Sequence, residues 1–134
     1  KEQWKNGAKS YLGLGISNFP NLFTITGPGS PSVLSNMVPS LELHVEWITS
    51  CIEWMRDNNK TLIESTQSVE EEWMALVDEI AGQTVYKSCS SWYNGSNIGE
   101  KAKEFLPFIG VPPYSEKINE VAEQDYQGFI FDQN

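Results

Sequence analysis

Histidine and cysteine are scarce in this chain: one His at position 44, and two Cys at 51 and 89, among 134 residues. With no Cys-x-x-Cys and a single imidazole, a structural zinc site is not expected. Both thiols are expected to be buried and unpaired, as in a reducing compartment. Positive charge is thin as well. Nine Lys and Arg stand against 18 Asp and Glu, a formal net charge of −9, which gives no electrostatic footprint for nucleic acid or anionic lipid. No apolar run approaches the roughly 20 residues that cross a bilayer, and no segment has the make-up of a signal peptide. These absences lead to the expectation of a cytoplasmic protein with no nucleic-acid and no membrane partner. There are no internal repeats, and the first residue is Lys1. The chain is therefore expected to be a fragment or a processed piece whose partner surface lies elsewhere.

What is present is apolar and aromatic. Hydrophobic residues make up 40% and aromatic ones 12%, with five Trp, enough for one folded domain with a real core. Residues 1–20 hold Trp4, Tyr11, Leu12 and Leu14 among glycines and read as an irregular or extended arm. Residues 21–26 read as a short strand covered on both faces. From about Asn36 to Asp57 the chain predicts a helix with two apolar stripes. One is Val38, Leu41, Val45, Ile48, Ile52 and Met55; the other is His44, Trp47, Cys51 and Trp54. Together they cover more than half the circumference at about 100° per residue, which predicts packing on more than one side. A capping box at Ser68 starts a second helix, with Val69, Trp73, Leu76, Val77 and Ile80 inward and Gly82 as its stop. Residues 83–113 lack periodicity and are too long and aromatic for a plain linker. Ser115 is expected to cap a short last helix with Ile118, Val121 and Ala122 inward, and residues 128–131 end the chain as an extended segment.

Three stretches carry chemistry, each with a plainer alternative. In "NLFTITGPGSPSVLSNMVPS" (21–40), Gly27-Pro28-Gly29-Ser30-Pro31 is neither a P-loop nor a GxGxxG fingerprint. A constrained turn before a helix N-terminus does offer backbone N–H groups to an anionic or electron-rich ligand. From spacing alone, a simple turn with Ser35 or Asn36 as N-cap accounts for it better. His44 lies inside an apolar face and reads as a packed, hydrogen-bonded core histidine. No Ser/His/acid or Cys/His set can be built round it. Glu70-Glu71-Glu72 suits the first turn of a helix, where the dipole stabilises carboxylates. Ser91-Trp92-Tyr93 with Asn94-Gly95-Ser96-Asn97 could meet a sugar hydroxyl or an amide ring through the indole N–H, or could be a loop anchored by two buried aromatics.

Taken in order, "YLGLGISNFPNLFTITGPGSPSVLSNMVPSLELHVEWI", "SWYNGSNIGEKAKEFLPFIG" and "VAEQDYQGFIF" closely resemble the Baeyer–Villiger monooxygenases, the cyclohexanone and phenylacetone monooxygenase group. The resemblance runs over essentially the whole chain. It implies a flavoprotein with an FAD domain and an NADP domain that uses O2 and NADPH to insert oxygen beside a ketone carbonyl, giving an ester or lactone. Only the C-terminal part is matched. The implied fold is α+β and mainly helical: the last strand and following helix of a Rossmann-like FAD domain, then a helical tail with a long irregular loop. Residues 1–60 would be the end of the FAD domain, and 61–134 the tail and cofactor-covering loop. By position, Gly27 and Pro28 would close around the flavin, and Asn36, Met37 and Val38 would present backbone to it. Trp92 would bond the nicotinamide ribose. Val33, Leu34, Phe105 and Leu106 would line the pocket of a small apolar ketone.

The departures matter too. The family's Asn-Ile-Pro-Gly-Lys-Pro reads Asn97-Ile98-Gly99-Glu100-Lys101-Ala102 here, without either proline. Both GxGxxG loops, the Phe-x-Gly-x-x-x-His-x-x-x-Trp signature and the active-site arginine are missing. The resemblance therefore implies no catalytic residue and no metal in this chain, an inactive isolated piece, and the N-terminal remainder of the same enzyme as its partner. A free-standing helical interaction or dimerisation module, with the wide apolar helix around Trp47 as its seam, is the alternative.

Overall fold

In a computed structural model, described for residues 4–5, 7–31, 35–85 and 107–132, the described residues form three helices and one small antiparallel sheet. The order is α1 (Met37–Asp57), β1 (Ile63–Ser65), α2 (Gln67–Gly82), α3 (Val111–Glu123) and β2 (Phe129–Phe131). β1 and β2 pair in the register Ile63 opposite Phe131 and Ser65 opposite Phe129. The expected fold class therefore holds in its coarse form, mainly helical with a little strand.

α1 starts where its sequence predicts. Asn36 is the N-cap, and its side chain accepts the Val38 N–H at 3.1 Å. Pro39 is tolerated because a first-turn N–H needs no helical acceptor. The stripe of His44, Trp47 and Cys51 is packed, whereas of the other only Ile48 and Met55 reach the core. Ser40, His44, Trp47, Cys51 and Met55 are buried, whereas Val38, Val45 and Ile52 are 58%, 50% and 53% exposed. The expectation of packing on more than one side is not met by the described residues.

Three other expectations are corrected. Residues 21–26 do not form a strand: they make a single bridge, Phe23 to Gly15, because a strand exists only where a neighbour takes its backbone groups. α2 is capped by Thr66, whose hydroxyl accepts the Val69 N–H, so the helix starts ahead of Ser68. α3 begins at Val111 with proline in its first turn. "VPP", which looks like a breaker, is a starter, since prolines there lose no helical hydrogen bond and have φ set in advance.

The irregular arm turns out to be a wall of the core. Leu12 and Leu14 are at most 1% exposed and pack with Trp47, Trp73, Tyr114 and Ile118. Trp73 stacks on Phe108 at 5.4 Å and 9°, and Tyr11 meets Trp73 edge-on. The indole N–H of Trp47 donates to the Ile118 carbonyl at 2.8 Å, tying α1 to α3. Glu70, 2% exposed, accepts from the N–H and hydroxyl of Ser17, which ties α2 to the arm. It is a structural carboxylate, in keeping with its first-turn position. Asp132 closes the open end of the sheet by accepting from the Thr61 hydroxyl and the Thr61 and Leu62 N–H groups. Those bonds, the Thr61 hydroxyl first, hold its carboxyl down to about 2. Cys51 is buried and free, with its thiol pushed up to about 12 by burial. Cys89 lies outside the described residues.

Candidate functional site

The turn at residues 26–30 is where the elements converge, and every carbonyl from 27 to 30 is taken by this chain's own donors. Gly27 O accepts from the Ser30 hydroxyl at 2.7 Å and Pro28 O from the buried Ser10 hydroxyl at 2.6 Å. Gly29 O accepts from the Trp73 indole N–H at 3.2 Å, and Ser30 O from the Phe108 N–H at 3.2 Å. The Gly27 N–H donates to Gly13 O at 3.1 Å. Pro28, Gly29, Ser30 and Pro31 are all buried. Gly29 has φ +76°, and a Cβ there would sit 3.0 Å from the Trp73 indole nitrogen and from Met74 Sδ. Glycine is required at that position on both counts.

Thr26 leads into this turn at φ +53°, an outlier for a β-branched residue. Its N–H donates to His44 Nδ1 at 3.0 Å. With Nδ1 accepting, the neutral ring carries its proton on Nε2, which faces the Tyr114 hydroxyl at 2.6 Å. Tyr114 then donates to the Leu12 carbonyl at 2.6 Å. Both side chains are fully buried. Burial lowers His44 to about 4 and raises Tyr114 well above its ordinary value. His44 is thus the hydrogen-bonded core histidine its surroundings predict, joining α1 to the turn, to α3 and to the arm.

Of the sequence-derived site residues, the structure describes five. Gly27 and Pro28 lie in the turn, Asn36 caps α1, and Met37 and Val38 form its first residues. Val33, Leu34, Trp92, Phe105 and Leu106 lie outside the described residues. The first turn of α1 holds no carboxylate, whereas α2 has Glu70 there. No acidic side chain in that first turn offsets the positive end of the α1 dipole, and Asn36 takes one of its N–H groups. Ser10, Thr26 and Tyr114, which help fix the turn, had no signal in spacing, and Trp73 was legible only as an inward residue of α2. The one hint was a tyrosine directly after the Pro pair. Among the described residues no group of His, Cys, Asp and Glu could hold a metal. No described helix is long and apolar enough to cross a membrane. A separate cleft of about 560 Å³, with Phe23, Ile52, Met55 and Ile63 in its lining and Arg56 and Lys60 among its polar residues, opens beside the bare stripe of α1.

No family model matches the chain. Individual proteins do. A phenazine N-monooxygenase of Lysobacter antibioticus is 40% identical over 131 residues, 97% of this chain and 24% of that protein. Cyclohexanone 1,2-monooxygenase of Acinetobacter sp. is 35% identical over 130 residues, 96% and 24%. The structure of cyclohexanone monooxygenase from Rhodococcus sp. Phi1 bound to NADP+ superposes with a TM-score of 0.92 at 33% identity, covering 99% of this chain and 25% of that one. The chain is homologous to Baeyer–Villiger monooxygenases. It spans about a quarter of the length of the relatives it matches.

Proposed function

We infer that this chain is the C-terminal portion of an FAD- and NADPH-dependent Baeyer–Villiger monooxygenase that oxidises a small apolar ketone with O2 in the cytoplasm. The observation that carries the reading is the match to an NADP+-bound cyclohexanone monooxygenase over 99% of the chain. In that reading, residues 1–60 are the end of a Rossmann-like FAD domain and 61–134 a helical tail with the cofactor-covering loop.

The residues present fit a flavin ring better than a cofactor's phosphates. All four carbonyls of residues 27–30 accept from the chain's own donors, which fixes the turn's backbone before any ligand arrives. The α1 N-terminus beside them carries no acidic side chain in its first turn. With a net charge of −9 and no Gly-Lys-Ser/Thr loop, the chain has little to offer a pyrophosphate, which falls to the remainder of the enzyme. Gly27 and Pro28 would border the flavin, and Asn36, Met37 and Val38 would present backbone to it. Trp92 would donate its indole N–H to the nicotinamide ribose, and Val33, Leu34, Phe105 and Leu106 would give the ketone an apolar wall. When bound, FAD and NADPH supply the electrons that activate O2. The chain's own work is to orient the ring, exclude water and close the substrate pocket. No residue in it is assigned an acid, base or nucleophile role.

The bare stripe of α1 supports the partner assignment, since the remaining three quarters of the enzyme would cover it. It would also suit a dimer seam in a free-standing module, and one experiment separates the two. Residues 1–134 are purified alone and after co-expression with the remainder of the enzyme, and FAD is titrated into each. The expected result is no retained flavin with the chain alone, and a yellow complex whose NADPH consumption rises with a cyclic ketone on co-expression. Tight stoichiometric FAD binding by the isolated chain, or failure to assemble with the remainder, overturns the reading. Stimulation by an aromatic N-heterocycle rather than a ketone would move the substrate class toward that of the phenazine N-monooxygenase.

A further inference from the structure

We propose that His44 is a positioning residue for the flavin-side turn: from α1 it holds Thr26, and with it residues 27–30, in the backbone conformation that the cofactor contact requires, with Tyr114 as its brace. The proposal rests on the functional reading above for the word flavin; its structural half rests on hydrogen bonds alone. Thr26 sits at φ +53°, a conformation that a β-branched residue holds only when its surroundings fix it. Its N–H bond to His44 Nδ1, at 3.0 Å, is one such fixture. His44 is itself given a single orientation and tautomer, because Nε2 faces the Tyr114 hydroxyl and that hydroxyl is committed to Leu12 O. The chain of donors runs one way: Thr26 N–H to Nδ1, Nε2–H to Tyr114, Tyr114 O–H to Leu12. A doubly protonated ring would set N–H against N–H at Thr26. A ring rotated about its axis would put C–H where the amide needs an acceptor. The neighbouring bonds from Ser10, Trp73 and Phe108 fix carbonyls 28 to 30, and His44 fixes the entry to them.

The test uses the full-length enzyme that carries this chain. Tyr114→Phe removes the brace while keeping the ring, His44→Gln removes the imidazole, and Glu116→Gln on the exposed side of α3 serves as control. Three readouts are taken: amide exchange of peptides covering residues 24–30 and of peptides covering α2, the visible circular dichroism of the bound flavin, and the share of oxidised NADPH that ends as hydrogen peroxide instead of product. The expected result is exchange about fivefold faster in 24–30 in both variants, as the loss of one buried hydrogen bond gives, with α2 unchanged. It comes with an altered flavin band and more peroxide released; the control matches the parent in all three. Unchanged exchange in 24–30, or an equal rise in α2, overturns the proposal. Local loosening with an unchanged flavin band and unchanged peroxide overturns it as a cofactor-positioning device. A parent enzyme that holds no flavin sinks the functional reading and this proposal with it, and is told apart because the failure is already present before any substitution.

Discussion

His44 has both ring nitrogens committed, one as acceptor and one as donor, and each partner lies on a different part of the chain. Protonating it would sacrifice the Thr26 bond inside a buried site, and burial holds the ring down to about 4. The sign follows from where the proton goes. Above the ordinary value of 6.5 the imidazole is neutral in the folded and the unfolded chain, and it adds no pH dependence. Below 6.5 the unfolded chain takes up a proton that the folded chain refuses until about pH 4, so stability falls across that window and the loss levels off below it. The full shift corresponds to a loss on the order of 3 kcal/mol. Thermal melts from pH 7.5 to 4 on the parent and on His44→Gln measure it, and the expected outcome is a visibly shallower decline in the variant. Because carboxylates also titrate near 4, the difference between the two curves is the quantity that counts. Parallel curves would show that His44 keeps an ordinary affinity for protons. That this histidine is structural was legible from its place on an apolar face. Its partners were not, because Thr26 and Tyr114 are separated from it by 18 and 70 positions, and no local spacing encodes such contacts.

Helices with strong local signals were readable in the sequence, and elements that depend on distant partners were not. α1 matched its predicted span because Asn36 and the apolar residues recurring at helical spacing from Val38 to Met55 speak locally. α2 was displaced by its cap, since Thr66 and Ser68 can both cap a helix and their hydroxyls lie 3.1 Å apart. α3 was read late because proline is a breaker by default and a starter only in the first turn. The strand expected at 21–26 failed for a different reason: its apolar run is genuine, but only Phe23 makes a bridge, to Gly15. The arm shows best how backbone geometry is set by a distant element. Gly13 sits at φ +74°, and a Cβ on it would come within 2.4 Å of Ser30 Cβ. Its carbonyl accepts both the Gly27 N–H and the Thr24 hydroxyl. Gly13→Ala is therefore expected to combine a left-handed backbone penalty with a clash against the turn, for a destabilisation of about 2–4 kcal/mol. Urea midpoints on parent and variant check this. A change below about 0.5 kcal/mol would mean that the arm and the turn are not packed as the structure has them.

Among the described residues, α1 is packed on one face and open on the other. Inward, α1 presents Ser40, His44, Trp47, Cys51 and Met55 to a continuous core. Outward, it shows Val38, Val45 and Ile52, each at least half exposed, with Leu22 and Ile25 of the preceding segment similarly open. An apolar stripe of that length on a helix already anchored from behind suits a docking face. The chain covers about 24% of its relatives' length, so the proposed occupant is the rest of the same enzyme. Val45→Glu combined with Ile52→Glu tests that directly. In the 134-residue chain these exposed changes should leave folding stability within about 0.5 kcal/mol while reducing self-association, read by denaturant melts and light scattering. In the full-length enzyme the same pair should bury two carboxylates without partners, so assembly and flavin retention should fail together. A full-length variant that keeps its flavin and its rate would show that this face remains open to solvent in the enzyme. The contrast between the two contexts separates a docking face within one enzyme from the seam of a free-standing dimer. In a free-standing dimer, the double substitution would release monomers without any flavin to lose.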